Sequence, residues 1–337
     1  MPVGTGVSAG GKQMLAMTQE DYGSTEVLEL REIDKPEIGD DEVLVRVRAA
    51  GVDRGVWHLM AGLPYPIRLA GYGVRAPKNP VIGMDVAGVV EAIGKDVTRF
   101  RPGDEVFGVG KGTFAEYTRC PEAKLALKPA NLTFEQAAAV PISAMTALQG
   151  VRDHGRIKSG DKVLITGASG GVGSYTVQLA KAFGAEVTAV CSTTKLDLVR
   201  SLGADQVVDY IRQDFTASGI RYDVILDIAG NTRLSRLRRI LTPTGTLVIM
   251  GGETDGKWLG GTDRQLRAML LSPFIGQRLG TFVNTEKHEF LLDLTPLLES
   301  GQVRPVVDRQ FPLEEAPKAI RYLIEGHARG KLVITVP

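Results

Sequence analysis

The sequence predicts an α/β protein in which a doubly wound parallel sheet adjoins a partly open β-barrel, and three observations carry that expectation. The stretch from Lys162 to Gly173, KVLITGASGGVG, runs from a short apolar segment into a cluster of glycines and the start of a helix. After Cys191 helical and strand patterns alternate, the order that specifies a parallel sheet with helices on both faces. Before Pro129 the chain reads instead as many short strands punctuated by Gly and Pro turns, the pattern of an open barrel.

The glycine-rich stretch is the most informative. Val163, Leu164 and Ile165 form the apolar run that a strand buried on both faces needs. Gly167, Gly170, Gly171 and Gly173 then permit a tight turn and a close approach of the backbone to a pyrophosphate. The charge of that pyrophosphate is received by the first amides of a helix running from about Val172 to Phe183 and stopped by Gly184. A second strand follows from Glu186 to Cys191. A strand, a glycine turn, a helix and a strand in this order predict a dinucleotide site.

Composition narrows the remaining possibilities. A length of 337 residues suits two domains, and 43% hydrophobic with 23% charged residues is ordinary for a globular enzyme. A net charge of +1 provides no electrostatic drive toward nucleic acid or an anionic membrane, so neither is expected as a partner. Cys120 and Cys191 lie far apart and form no CxxC pair. This argues against a disulfide framework or a cysteine-built zinc site and suits a cytoplasmic location. Residues 1–12, MPVGTGVSAGGK, lack the apolar centre of a secretory signal and read as a flexible leader. The small-apolar region Ala137 to Leu148 is interrupted by Pro141 and is too short to span a bilayer.

Met14 to Leu30 and Glu42 to Ala50 read as strands, with DKPEIGDDE as a turn between them. Gly51 to Tyr65 reads as a loop, and a strand runs through Val89 and Val90. VFGV and FAEYT are further short strands. Thr133 is placed to cap a helix through Glu135 to Ala139, and helical periodicity resumes from Ser143. Beyond Cys191 the pattern gives a helix from Lys195 to Leu202, strands at Val207–Val208 and Tyr222 to Ile228, a helix around Arg233 to Leu241 and a strand at Thr246 to Met250. Gly280 to Val283 reads as a last strand of this sheet, whereas the strand Lys331 to Val336 is expected to return to the first domain.

The ordered motifs PVIGMDVAGVVEAIG, RPGDEVFG, GASGGVG, LGADQVVDY and RGKLVITV together resemble the medium-chain dehydrogenase/reductase superfamily, and within it the zinc-free quinone oxidoreductase (zeta-crystallin-like) branch. The resemblance covers nearly everything after about Met14. It implies a GroES-like barrel over residues 13–140 and 285–337, a Rossmann domain over 141–284, and a homodimer joined through the edges of the cofactor sheets. The metal ligands of the zinc alcohol dehydrogenases fall here on Asp53, Met84 and Asp85, a set poorly suited to zinc, and the four-cysteine structural lobe is missing. No metal is expected.

The end of the strand leading to Cys191 offers Ser192, Thr193, Thr194 and Lys195 where an acid would hold the ribose of NAD. Hydroxyls and an ammonium suit a 2′-phosphate, so the expected cofactor is NADPH. The alternative for Lys195 is that it starts a solvated helix. Tyr210 matches a family tyrosine that helps hold this phosphate. Thr146, Ser169, Gly170, Gly171 and Val172 carry over as pyrophosphate or ribose contacts. Ala229, Gly230, Met250 and Gly251 lie at strand ends where the nicotinamide half collects, with Phe282 and Val283 from the last strand. Lys331 resembles a basic residue that approaches the cofactor from the other domain; an ordinary surface lysine is the alternative.

Without a metal, protein hydrogen bonds or the cofactor ribose must stabilise the charge that develops in hydride transfer. Asp53 falls where relatives carry Asn near the nicotinamide, and His58 where some carry Tyr. His58 is the first candidate proton donor and Tyr65 the second, with water as the alternative to either. The loop Trp57 to Gly73 and the segment Trp258 to Phe274 are the expected pocket walls. The implied activity is NADPH-dependent, zinc-independent reduction of a small electrophilic substrate, a quinone or an α,β-unsaturated carbonyl. The rivals are an alcohol dehydrogenase or enoyl reductase of the same fold, and a non-catalytic NADPH-binding protein.

Overall fold

The computed structural model describes residues 13–251, 258 and 260–337; the leader expected over residues 1–12 lies outside them. β1 (Gln13–Thr18) and β2 (Glu29–Asp34) form an antiparallel pair, and β3 (Glu42–Val52) is the spine of a larger sheet. Val43, Val45 and Val47 are fully buried at a spacing of two, so one face of β3 builds the barrel core.

The chain then forms α1 (Arg54–Ala61), where the sequence reads as a loop. Both ends of this helix are capped. Asp53 Oδ1 accepts the Val56 N–H at 3.2 Å, and Gly62 closes the helix in the left-handed region at φ 61°. Val56 and Met60, one turn apart, are its buried residues, and they anchor it to the barrel. The sheet continues with β4 (Asp85–Ile93), β5 (Glu105–Val109), β6 (Tyr117–Pro121) and β7 (Leu125–Leu127). α2 (Phe134–Ala138), capped reciprocally by Thr133 and Gln136, and α3 (Pro141–Leu148) lead to the second sheet.

That sheet is assembled from β8 (Lys162–Thr166), α4 (Gly171–Ala182), β9 (Glu186–Cys191), α5 (Leu196–Ser201), β10 (Gln206–Asp209), β11 (Tyr222–Asp227), α6 (Leu234–Arg239), β12 (Leu241–Ile249), α7 (Thr262–Leu271) and β13 (Arg278–Thr281). Its strands are all parallel, in the order β10-β9-β8-β11-β12-β13. The direction of winding reverses between β8 and β11, which is where an open sheet of this kind receives a ligand. Val163, Leu164 and Ile165 are fully buried, as a central strand covered on both faces requires.

α8 (His288–Glu299) buries Leu291, Leu294 and Leu298 in the same core as α3 and α4. β14 (Val307–Pro312), α9 (Ala316–Ile324) and β15 (Lys331–Thr335) then return to the first sheet, in the order β14-β15-β3-β4-β5-β7 with β6 beside β3. β15 runs antiparallel to β3, with Leu332 opposite Val52. Its first residue lies at the seam between the two sheets, because Gly330 bridges to Gly170 and donates its N–H to Ser169 O at 2.9 Å. Among the described residues no helix is long and apolar enough to cross a membrane.

Candidate active site

The glycine turn is shaped by what a side chain would hit. Gly167 adopts φ 68°, a conformation that favours glycine, and a Cβ on Gly173 would lie 2.1 Å from Gly167 O. No side chain caps the start of α4: the Gly170 N–H donates to Gly167 O at 3.2 Å, and the first-turn amides of Gly171 and Val172 have no side-chain acceptor. Turn and helix end together fit a diphosphate, which supplies the missing acceptors and the negative charge favoured there. Thr146 on α3 donates its hydroxyl to Ile142 O at 2.7 Å.

At the end of β9, Ser192, Thr193 and Lys195 are half-buried. The Lys195 ammonium donates to Gly326 O at 2.9 Å and Ala328 O at 2.8 Å, so this lysine ties the Rossmann sheet to the loop before β15 and does not merely begin a solvated helix. Burial holds it below the ordinary lysine range, with the cationic Arg329 acting the same way and Asp308 opposing. Arg329 is exposed and is a cation that sequence reading passes over. Thr193 donates to Asp209 Oδ2 at 2.5 Å, and the Ile211 N–H donates to Asp209 Oδ1 at 3.0 Å. Tyr210 beside it is 58% exposed.

On the opposite side of the switch point, Thr166 donates its hydroxyl to Asp227 Oδ1 at 2.6 Å, and Arg264 of α7 is ion-paired with Asp227 and donates to Gly230 O at 3.0 Å. No sequence signal marks Arg264, since a lone arginine in an amphipathic helix reads as a solvated face. Ala229 is exposed, Gly230 is buried, and Met250 and Gly251 are half-buried. A Cβ on Gly251 would meet Ile228 O at 2.3 Å, and Met250 packs against Gly150. Of the expected nicotinamide contacts after β13, the Phe282 ring stacks on His154 at 4.3 Å, and Val283 is 91% exposed. Both follow β13 at the sheet edge, where periodicity in so short a strand does not reveal the side-chain direction.

Lys331 is only 1% exposed, which rules out an ordinary surface lysine. Its stem lies against the glycine turn, with Cδ 3.0 Å from where a Gly171 Cβ would stand. Its ammonium donates to Asp85 Oδ2 at 3.0 Å and lies 3.9 Å from Asp53 Oδ2. Asp85 Oδ1 accepts the Ile142 N–H at 2.9 Å. Burial pushes the Asp85 carboxyl up to about 7, with Lys331 opposing and Asp53 adding to the shift. Tyr175 of α4, also fully buried, donates its phenol to Ala139 O at 3.0 Å, and burial drives its phenol well above the ordinary range. The residues at the three zinc-ligand positions are therefore two carboxylates flanking an ammonium, together with Met84. Among the described residues no group of three or more His, Cys, Asp and Glu is placed to hold a metal ion.

α1 carries the remaining candidates. His58 Nδ1 lies 2.7 Å from Leu63 O; a carbonyl can only accept, so Nδ1 bears the hydrogen. Tyr65 meets Trp258 edge-on at 5.2 Å, and the Arg68 guanidinium lies 4.9 Å from the Tyr65 ring. Tyr22 clips this loop by donating to Gly73 O at 2.7 Å. The two expected pocket walls thus meet through Tyr65 and Trp258.

Comparison with known proteins agrees with this fold. Residues 39–130 match the family model of the alcohol dehydrogenase GroES-like domain, and residues 202–334 match a model described as zinc-binding dehydrogenase. A 2-methylene-furan-3-one reductase of Solanum lycopersicum is 36% identical over 96% of this chain and 79% of its own length. An NADPH-dependent alkenal/one oxidoreductase of the Arabidopsis thaliana chloroplast is 36% identical over 96% of this chain and 80% of its own. The solved quinone oxidoreductase of Coxiella burnetii superposes with a TM-score of 0.85 at 28% identity, covering 97% of this chain and all of that one. The chain belongs to the medium-chain dehydrogenase/reductase superfamily, in its quinone oxidoreductase branch.

Proposed function

We propose that this protein is an NADPH-dependent, zinc-independent reductase of quinones and α,β-unsaturated carbonyls. The observation that carries the reading is the seam at Lys331, where a glycine turn suited to a diphosphate meets a buried ammonium flanked by two carboxylates. An ammonium held between Asp85 and Asp53 leaves those carboxylates already engaged, so the reading needs no metal there. Relatives named for alkenal, furanone and quinone reduction support the acceptor class.

NADPH, when bound, supplies a hydride to the electrophilic carbon of the acceptor. Gly170, Gly171 and Val172 hold its diphosphate through the start of α4, with Ser169 and Thr146 beside them. Ser192, Thr193, Lys195 and Tyr210 take the 2′-phosphate, with Arg329 adding charge. Ala229, Gly230, Met250 and Gly251 border the nicotinamide end. Asp53 and His58 stand at the acceptor side, where His58 delivers a proton from Nε2, its Nδ1 hydrogen being engaged by Leu63 O. Tyr65 and Trp258 form an aromatic wall for a flat acceptor.

The active form is a homodimer joined at the open edge of β13, where Phe274 is 84% and Val283 91% exposed. The two buried, unpaired cysteines, Cys120 and Cys191, support a cytoplasmic location. Titration calorimetry with NADPH and NADH, followed by a panel of quinones, enones and alcohols, tests the reading. NADPH binds more tightly, and quinones or enones consume it while alcohols reduce no NADP⁺. Tight NADPH binding with no acceptor consumed would instead establish a binding protein.

A further inference from the structure

The dinucleotide site gathers at the carboxyl ends of the parallel strands, and the opposite end of the Rossmann sheet carries a cavity of about 430 Å³. It is lined by Ser235, Arg238 and Arg239 of α6, by Pro243, and by the turn from Ile275 to Gln277 that leads into β13. That volume falls in the range of small-molecule sites. Among the described residues that line it there is no carboxylate. The surrounding sequence is as one-sided: Ile228 to Gly251 holds four arginines and no acidic residue, and Gln265 to Thr285 holds two arginines and none, in a chain whose net charge is +1.

The hydrogen bonds show which of these cations are already engaged. Arg236 is ion-paired with Asp214, and Arg267 lies 3.4 Å from Asp263. Arg238 commits only its Nε–H, to Gln277 Oε1 at 3.2 Å, and its two terminal nitrogens have no acceptor among the described residues. Arg239 has no hydrogen bond or ion pair there at all. Basic residues in the last turn of a helix ordinarily serve its free carbonyls. At this helix end others do so: Gln277 Nε2 donates to Arg238 O at 2.9 Å and to Thr242 O at 3.3 Å, and the Tyr222 N–H donates to Ile240 O at 2.8 Å. Two neighbouring guanidiniums are thus left without a counter-charge in a concave surface, where their fields add.

We propose that this cleft is a binding site for a small phosphorylated molecule, its phosphate held by the terminal nitrogens of Arg238 and by the Arg239 guanidinium, with the Ser235 hydroxyl donating beside them. A phosphate dianion accepts from two guanidinium forks at once, whereas a carboxylate is satisfied by one. Pro243 and Ile275 supply an apolar wall for the rest of the ligand. Lying at the far end of the strands from the glycine turn and Lys195, the site fills independently of NADPH.

The probe is inorganic pyrophosphate, titrated by calorimetry at low ionic strength into the protein loaded with NADPH. One saturable binding event per chain is expected, with a Kd below about 1 mM and weakening with added salt. Arg238→Gln combined with Arg239→Gln raises that Kd at least about tenfold, whereas Lys195→Ala leaves it unchanged. Citrate, which carries carboxylates only, binds at least about tenfold more weakly than pyrophosphate. Light scattering and thermal melts confirm that the double variant keeps the native assembly and fold. The comparison of native protein and double variant is repeated without NADPH, so it stands whatever the cofactor assignment: the cleft is the binding event that the double variant loses. Loss of all pyrophosphate binding on loading with NADPH overturns the proposal, as does equal affinity in the double variant. Binding of single-stranded RNA or of phosphatidylserine vesicles, without saturable binding of pyrophosphate, overturns it in favour of a macromolecular or lipid anion.

Discussion

The Lys331 ammonium of β15 lies 3.0 Å from the Asp85 carboxylate of β4, both side chains almost wholly enclosed, and the contact binds the chain's last strand to the barrel beside the glycine turn. Removing one partner of a buried pair leaves the other uncompensated. Lys331→Met strands two carboxyls in the seam, and its stability falls by about 3–5 kcal/mol in urea unfolding. The loss is partly recovered in acid, where the stranded carboxyls are protonated.

Asp85 also sets a pH dependence whose sign follows from its upward shift to about 7. The folded state binds this proton more tightly than the unfolded chain, in which an Asp titrates near about 3.9. The contribution is therefore fully present below about pH 4 and is lost as pH rises through about 7. Asp85→Asn flattens this part of the stability profile, measured as the unfolding midpoint across that range.

The cradle makes a steric prediction. Gly173→Ala places a methyl 2.1 Å from Gly167 O, a contact that only backbone movement relieves. The variant loses about 1–3 kcal/mol of stability and binds NADPH at least about tenfold more weakly, both readable from melts with and without cofactor.

The proposed role of Lys195 is to separate the two nicotinamide cofactors. A charge-assisted contact with a 2′-phosphate would contribute about 1.5–3 kcal/mol, so on that proposal Lys195→Ala raises the Kd for NADPH by about 10- to 100-fold and leaves that for NADH nearly unchanged. Equal weakening of both would show that Lys195 acts only by holding Gly326 and Ala328.

The parts of this molecule legible in sequence are those that depend on local periodicity and glycine. The run Val163 to Ile165, the glycine turn and the strand Glu186 to Cys191 are local patterns, and the structure contains them within a residue or two. α1 was carried by two signals at its ends, Asp53 and Gly62, that outweigh the aromatic and glycine residues suggesting a loop. The Lys331 cluster is illegible for another reason: its three members come from β15, β4 and the start of α1, and Lys331 and Asp85 are 246 residues apart in sequence. A lysine in RGKLVI looks like a surface residue until β15, paired with β14 at Val307 and with β3 from Leu332 on, encloses it. The surroundings of Phe282 and Val283 depend likewise on the sheet edge.

The most direct test of the proposed activity is transfer of label from NADPH deuterated at the hydride position to an α,β-unsaturated ketone, with the product's isotope pattern read by mass spectrometry and NMR. Deuterium at the β-carbon, with protium from solvent at the α-carbon and NADPH preferred over NADH, is the predicted result. An unlabelled ketone recovered intact, and a quinone left unreduced under the same conditions while NADPH remains tightly bound, would contradict it.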